Sequence, residues 1–384
     1  MRLENSQQAF FELVRAGLWE KEARLSQFNN IDYSAILNMA EEQTVVGLVT
    51  AGLERVVDVK VPQEWVLQFV GETLQIEQQN KDMNVYLAKL IEQLHQKDVY
   101  AILVKGQGIA QCYEKPLWRA SGDIDLLLSD ANYEKAKKVL LPLAIDVEDE
   151  YKSFKHLGMT MKGGYLVELH GTMYSRLSRR IDKVIDEAQK DVFYGGNVRS
   201  WNNGGTTVFL PSPDNDVIFV FTHILHHYYI EGIGLRQICD WCRLLYTYKD
   251  SSNHRLLESR IRKAGLMTEW KAFATLAVEW LGMPVEAMPL FNENDNHNEK
   301  LKRKAARILE FVLECGNFGH NREAASGKIG SVWSKTKDFA RHSMVFPLDS
   351  IKFYFHFLEN GLRLAAANKK RNHNNRCSSV QGPE

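Results

Sequence analysis

Two aspartates, spaced two residues apart inside an apolar run, constrain this chain more than any other feature. The run from Gly122 to Ser129 reads Gly-Asp-Ile-Asp-Leu-Leu-Leu-Ser. Side chains alternate between the faces of a strand, so Asp123 and Asp125 leave one face while Ile124, Leu126 and Leu128 leave the other. Two adjacent carboxylates repel each other, and a divalent cation is the usual compensation. Upstream, Val99 to Val104 is a short apolar stretch that suits a buried strand. Lys105, Gly106, Gln107 and Gly108 follow it as a glycine turn. A helix from Gln107 to Tyr113, ended by Pro116, then leads into the aspartate strand.

Residues 1–97 read as an all-helical N-terminal region with no chemistry of its own. Phe10, Phe11, Leu13, Val14 and Leu18 recur at helical spacing, and Asn30 or Asp32 suits the cap of a following helix. Pro62 suits the first turn of a long helical pattern that runs to about Lys97, with Gly71 its weak point. Residues 98–212 have a different texture and form the expected catalytic core. After the aspartate strand, Asp130 opens a helix with an Asp or Asn cap, and three strands follow: Ile145 to Tyr151, His156 to Met161 and Tyr165 to His170. Lys162-Gly163-Gly164 is a hairpin turn between the last two. A charged helical pattern covers 176–190, and a turn at Asn202 to Gly205 leads to a short apolar run, Thr207 to Leu210.

Residues 213–367 read as a helical C-terminal region, with helices over 216–229, 233–248, 253–264 and 268–281 and a polar loop from Asn292 to Asn298. Residues 316–347 are expected to be partly irregular, and Ile351 to Ala367 to form a last apolar helix. The tail, 368–384, is polar and basic and is expected to be disordered. The pattern as a whole predicts an α+β fold, a mixed β-sheet core flanked by helices.

Composition narrows the function. The 384 residues are 45% hydrophobic and 25% charged, with a formal net charge of zero, so no global electrostatic footprint points to nucleic acid or an anionic membrane. No apolar run approaches the ~18 residues that span a bilayer, and the N-terminal residues lack the basic and apolar blocks of a signal peptide. The five scattered cysteines suit a reducing compartment, and the expected location is the cytoplasm. Cys239 and Cys242 form a lone Cys-x-x-Cys without a second pair, which reads as two buried helix residues rather than a zinc site.

A third acid completes the chemistry. Glu168 lies between apolar neighbours in the run Leu166 to His170, and an acid in mid-strand is costly unless it is paired or ligates a cation. If this strand lies beside the aspartate strand, three carboxylates converge. The order of a glycine turn, Asp-x-Asp and a later acid between apolar residues resembles the nucleotidyltransferase superfamily that includes polymerase beta. More narrowly, Leu103-Val-Lys-Gly106, Tyr113, Arg119, Gly122 to Leu127, Val167-Glu-Leu-His170 and Gly234 to Leu245 resemble a bacterial group labelled uncharacterised nucleotidyltransferase, over roughly residues 98 to 250.

The resemblance implies a nucleotidyltransferase-like sheet and two-metal transfer of a nucleotide from an NTP to an unidentified acceptor. Asp123, Asp125 and Glu168 would hold Mg²⁺, with Mn²⁺ as the alternative ion. The backbone of Gly106, Gln107 and Gly108 would cradle phosphates, with charge from Lys105 or Arg119. The family turn usually carries Gly-Ser or Gly-Gly, where this chain has Gly-Gln-Gly.

Other readings stand beside these. Lys105 could be a solvated strand end, and Arg119 could pair with Glu114 or an aspartate. His170 could meet substrate or be a hydrogen-bonded core residue. Arg236 and Asp240, four apart, could pair on a helix surface or wall the substrate side. His223 and His227 have zinc-compatible spacing, but the Glu of a His-Glu-x-x-His protease is missing. Two alternatives for the whole protein are a nucleotide-binding or interaction protein without turnover, motivated by Gln107, and a toxin-like transferase acting on tRNA or protein, which neutral charge supports little. The oligomeric state is not encoded in any motif.

Overall fold

A computed structural model describes residues 3–151, 155–230, 232–317 and 338–355. The chain opens with four helices: α1 (Asn5–Trp19), α2 (Tyr33–Glu42), α3 (Val46–Leu53) and α4 (Gln63–His95). Asp32 caps α2, its side chain accepting from the Ala35 N–H. Gly71 does not interrupt α4, which runs for 33 residues. Then come β1 (Ile102–Val104), the short α5 (Gly106–Ala110), β2 (Asp123–Leu127), α6 (Asp130–Leu140), β3 (Ala144–Val147), β4 (His156–Met161) and β5 (Leu166–His170). After α7 (Arg179–Tyr194) the hairpin β6 (Val198–Asn203) and β7 (Thr206–Pro211) completes the strands. The rest is helical: α8 (Pro213–Ile230), α9 (Leu235–Thr247), α10 (His254–Ala264), α11 (Met267–Glu279), α12 (Glu293–Asn296) and α13 (Glu299–Cys315). Residues 338–345 and 347–355 are also helical.

All seven strands join one mixed sheet in the order β3-β4-β5-β2-β1-β7-β6. β2 runs parallel to β5 and β1 parallel to β7, while the other pairs are antiparallel. The protein is therefore α+β, a mixed sheet flanked by helices. Strand alternation divides the interior into two cores. Ile124, Leu126, Val167, Leu169, Leu157 and Met159 face α4 and α6, where Leu87, Ile91, Tyr133 and Ala136 meet them. The opposite face gives Ile102, Val104 and Leu127 to a larger core. That core joins α1–α3 to α7–α11 and α13 without a break. Trp19 Nε1 donates to the Leu281 carbonyl, and Gln43 Nε2 to that of Val312 at 3.2 Å, tying the two ends of the chain together. α1 and α3 cross so closely that a Cβ on Gly17 would stand 2.0 Å from the Leu48 carbonyl oxygen.

Several local expectations differ from this structure. The cap of α6 is Ser129, whose hydroxyl accepts from Asn132 N–H, not Asp130 or Asn132. β1 keeps only the last three residues of the expected strand. β6 was not anticipated, because Arg199, Ser200 and Asn202 give it a polar, half-exposed edge with no apolar alternation. The loop at 292–298 contains α12. Of the expected helix over 351–367, residues 351–355 are helical; the remainder, like the tail at 368–384 and the segment 318–337, lies outside the described residues. Cys239 and Cys242 are fully buried free thiols on α9. Among the described residues no helix is long and apolar enough to cross a membrane.

Candidate active site

The parallel pairing of β2 with β5 sets Asp125 directly opposite Glu168. Asp123 precedes Asp125 by two residues on the same face, so three carboxylates meet, each offering an oxygen within 4.8 Å of the others. Their surroundings differ. Asp125 is 2% exposed, and its Oδ1 accepts from Lys105 Nζ at 2.8 Å and His170 Nε2 at 2.7 Å. Glu168 Oε2 lies 3.0 Å from His156 Nε2 and 3.3 Å from His170 Nε2. Among the described residues, no hydrogen bond or ion pair reaches the Asp123 carboxylate.

Charge follows this asymmetry. The negative charge of Asp125, with burial second, pushes the Asp123 carboxyl up from its ordinary range. Burial also opposes ionisation of Glu168, but hydrogen bonds from His156 and His170 outweigh it and hold that carboxyl well below the usual range. Burial disfavours charge on Lys105 and His170, yet the acids around them raise both. Burial, together with the charge of Lys105 and the other imidazoles, lowers His223.

Lys105 is held by unusual backbone. It has φ 59° and ψ −148°, a region that costs an L-residue about 1–3 kcal/mol. Gly106 continues with φ +41°. Together they turn the chain from β1 into α5 and aim the Lys105 amine at Asp125, so Lys105 is not a solvated strand end. The N–H groups of Gly106, Gln107 and Gly108 occupy the first turn of α5, outside its i→i−4 ladder. The Gln107 side chain points away from the acids, its amide donating to Met83 Sδ on α4. Gly108 is small for packing: a Cβ there would stand 2.8 Å from the Leu210 side chain on β7.

Arg119 and Asp240, expected near phosphate and substrate, are bound to each other. Asp240 accepts from Arg119 Nε at 3.0 Å and Nη2 at 2.6 Å, and from Tyr113 Oη at 2.8 Å. Arg119 Nη1 donates to Ala120 O and Ser121 Oγ. Both partners are buried, 7% and 4% exposed, and neither is among the residues that wall the cavity beside the acids. Arg236 makes no helix-surface pair with Asp240. It donates to the Ala120 carbonyl at 2.7 Å, and its Nε is buried without a partner. Burial and the charge of Arg119 lower its guanidinium to about 10, so it stays cationic at neutral pH, within electrostatic reach of Asp123.

The acids open into a cavity of about 430 Å³ whose walls include Lys105, Asp123, Glu168 and His170. Its far side is α8, with His223, His226 and His227. His223 and His227 face each other, Nε2 to Nε2 at 3.0 Å, and His226 Nδ1 donates to the Ser175 carbonyl. His156 carries no functional expectation from the sequence, and neither do Thr172, Tyr174 and Ser175 on the cavity wall. His156 shares a period-two face with Gly158 and Thr160, opposite the buried Leu157, Met159 and Met161, and that alternation was its one visible mark.

Residues 29–282 match the model of a family described as uncharacterised nucleotidyltransferase. The match extends beyond 98–250 on both sides and takes in α2, α3 and α4 before it and α10 and α11 after it. A solved structure, an antigenic nucleotidyltransferase-like protein from Paracoccidioides brasiliensis, is similar at 15% identity, covering 56% of this chain and 96% of that chain. The TM-score of that likeness is 0.32. No curated protein matches the chain.

Proposed function

We propose, from the premise that the chain belongs to the uncharacterised nucleotidyltransferase family, that it transfers a nucleoside monophosphate from an NTP to an acceptor hydroxyl. The observation that carries this reading is the meeting of Asp123, Asp125 and Glu168, with Asp123 unpartnered beside the cavity. The donor set fits a hard divalent cation: three carboxylates, two of them forced together at a cost visible in the raised Asp123 carboxyl. Asp123, Asp125 and Glu168 would hold Mg²⁺ or Mn²⁺. Bound there, such an ion would supply positive charge for the departing pyrophosphate and acidity for the acceptor hydroxyl.

The protein's own groups carry the rest. Lys105 supplies a fixed positive charge at the acid cluster, and Arg236 a second one near Asp123. The N–H groups of Gly106, Gln107 and Gly108 offer donors to phosphate oxygens. The acceptor oxygen attacks the α-phosphorus as the bond to pyrophosphate breaks, and its proton leaves to bulk water through the open cavity. Glu168 stays ionised throughout neutral pH, because two imidazoles hold its charge. Arg119, Asp240 and Tyr113 fix the segment leading into β2, so their part is positioning. In this reading residues 98–212 are the catalytic unit, and the helical regions 1–97 and 213–367 shape the acceptor side. The class of acceptor and the choice of base rest with those walls.

Transfer of label from each of the four NTPs, with Mg²⁺ or Mn²⁺, to small-molecule, RNA and protein acceptors tests the proposal. Asp123→Asn is expected to lower transfer by at least about a hundredfold, the scale of lost electrostatic stabilisation at a reacting centre. A variant with full activity would sink the assignment. One observation favours a second reading, nucleotide binding without turnover: Lys105 and His170 already neutralise Asp125. Calorimetry separates the two, since NTP binding with Mg²⁺ but no transfer to any acceptor selects the second.

A further inference from the structure

We propose that His156, Glu168 and His170 form a second cation site, of mixed nitrogen and oxygen donors, that takes a divalent transition ion such as Mn²⁺, Co²⁺ or Zn²⁺ in preference to Mg²⁺. The inference deepens the function proposed above and rests on it only through Glu168, the carboxylate common to both donor sets.

The antiparallel pairing of β4 with β5 sets His156 opposite His170. Both rings bring Nε2 to one oxygen, Glu168 Oε2, at 3.0 and 3.3 Å. The three donor atoms lie within 4.8 Å of one another. Imidazole and carboxylate ligands bind such ions at about 2.1 Å, which puts two ligands about 3.0 Å apart at a right angle and about 3.4 Å apart at a tetrahedral angle. The observed separations from Glu168 match these values without movement of either strand; an ion there would displace the Nε2 protons that both rings now share with the acids, and with them the His170 bond to Asp125. Two imidazoles on one carboxylate are a poor set for Mg²⁺, which takes oxygen ligands, and a good one for transition ions. His156 and Glu168 are partly open, with side-chain exposures of 18% and 32%, toward the cavity, so remaining coordination positions face the space where substrate oxygens would enter. Because Glu168 belongs to both sets, an ion here would stand next to one held by Asp123 and Asp125.

The test uses the full chain, stripped with a chelator and reloaded. Pulsed EPR of the Mn²⁺-loaded wild type is expected to show ¹⁴N coupling from imidazole, a readout that needs no variant and no activity. Equilibrium dialysis against Mn²⁺, Co²⁺ and Mg²⁺ is expected to show that His156→Gln weakens Mn²⁺ and Co²⁺ by at least about tenfold and Mg²⁺ by much less. Asp123→Asn is expected to retain the ¹⁴N coupling. Wild-type Mn²⁺ spectra without nitrogen coupling, or unchanged Mn²⁺ and Co²⁺ affinity in His156→Gln, would overturn the proposal. Nitrogen coupling in a protein that transfers no nucleotide leaves this site standing and removes only the function proposed above.

Discussion

Replacing Asp240 by asparagine leaves the size of the side chain unchanged and removes its charge. The carboxylate accepts two bonds from Arg119, at 3.0 and 2.6 Å, and one from Tyr113 at 2.8 Å. An asparagine can satisfy one of the two Arg119 donors, and its own NH₂ must then face another donor. Arg119 retains Ala120 O and Ser121 Oγ, but its charge is left buried with no carboxylate bonded to it, Asp123 acting only at longer range. Removing one partner of a buried pair costs about 3–5 kcal/mol. With a urea m-value near the top of the usual range, about 3 kcal/mol/M, the unfolding midpoint should fall by roughly 1–1.7 M. The double variant Arg119→Met with Asp240→Leu should recover most of that loss, because it removes both charges together. Far-UV circular dichroism in a urea series measures all three proteins. If Asp240→Asn keeps the wild-type midpoint to within about 0.2 M while abolishing transfer, Asp240 acts on substrate and its positioning role is refuted.

Three further outcomes follow from the same geometry. In chelator, Asp123→Asn should raise the melting temperature, because it removes the repulsion from Asp125, whereas Asp125→Asn should lower it by stranding Lys105 and His170; equal shifts of one sign would contradict the asymmetry of the two acids. Gly17→Ala should destabilise by about 1–3 kcal/mol despite the better helix propensity of alanine, since its Cβ would meet the Leu48 carbonyl at 2.0 Å; an unchanged melting curve would mean that α1 and α3 do not cross this closely. Buried Glu269 is pushed up from 4.5 to about 8 by burial and then by Asp349, so the fold holds a proton there that the unfolded chain has released. Stability should therefore fall as pH rises from about 4.5 to about 8, by up to about 5 kcal/mol, and Glu269→Gln should flatten that slope; parallel pH profiles for the two proteins would refute the assignment.

Helical segments were legible wherever a 3.6-residue period placed apolar side chains on one stripe, as in α1, α4 and α9, because that period is a local property. The aspartate strand was legible for the same reason at period two. Its register against β5 was not, since forty-odd residues separate the two strands and nothing local specifies which neighbour a buried strand takes. Lys105 illustrates the limit. As a residue it was an ordinary cation after a strand, and only the left-handed turn through Gly106 directs it onto Asp125. Arg119 and Asp240 are separated by more than a hundred residues, and α9 had to dock on the segment before β2 for them to meet. His156 carried no motif, and its meaning comes from pairing with β5.

The sequence by itself determined that two like charges would share one face of a buried strand, and it supplied a third acid and a set of cations to answer them. Tertiary structure decided which cation meets which acid. It neutralised Asp125 from within, left Asp123 facing the cavity, and gave Glu168 two imidazoles. The physical reason is range: side-chain alternation is set by each residue's own backbone, while the pairing of charges depends on strand order and helix docking, which the two cores decide together.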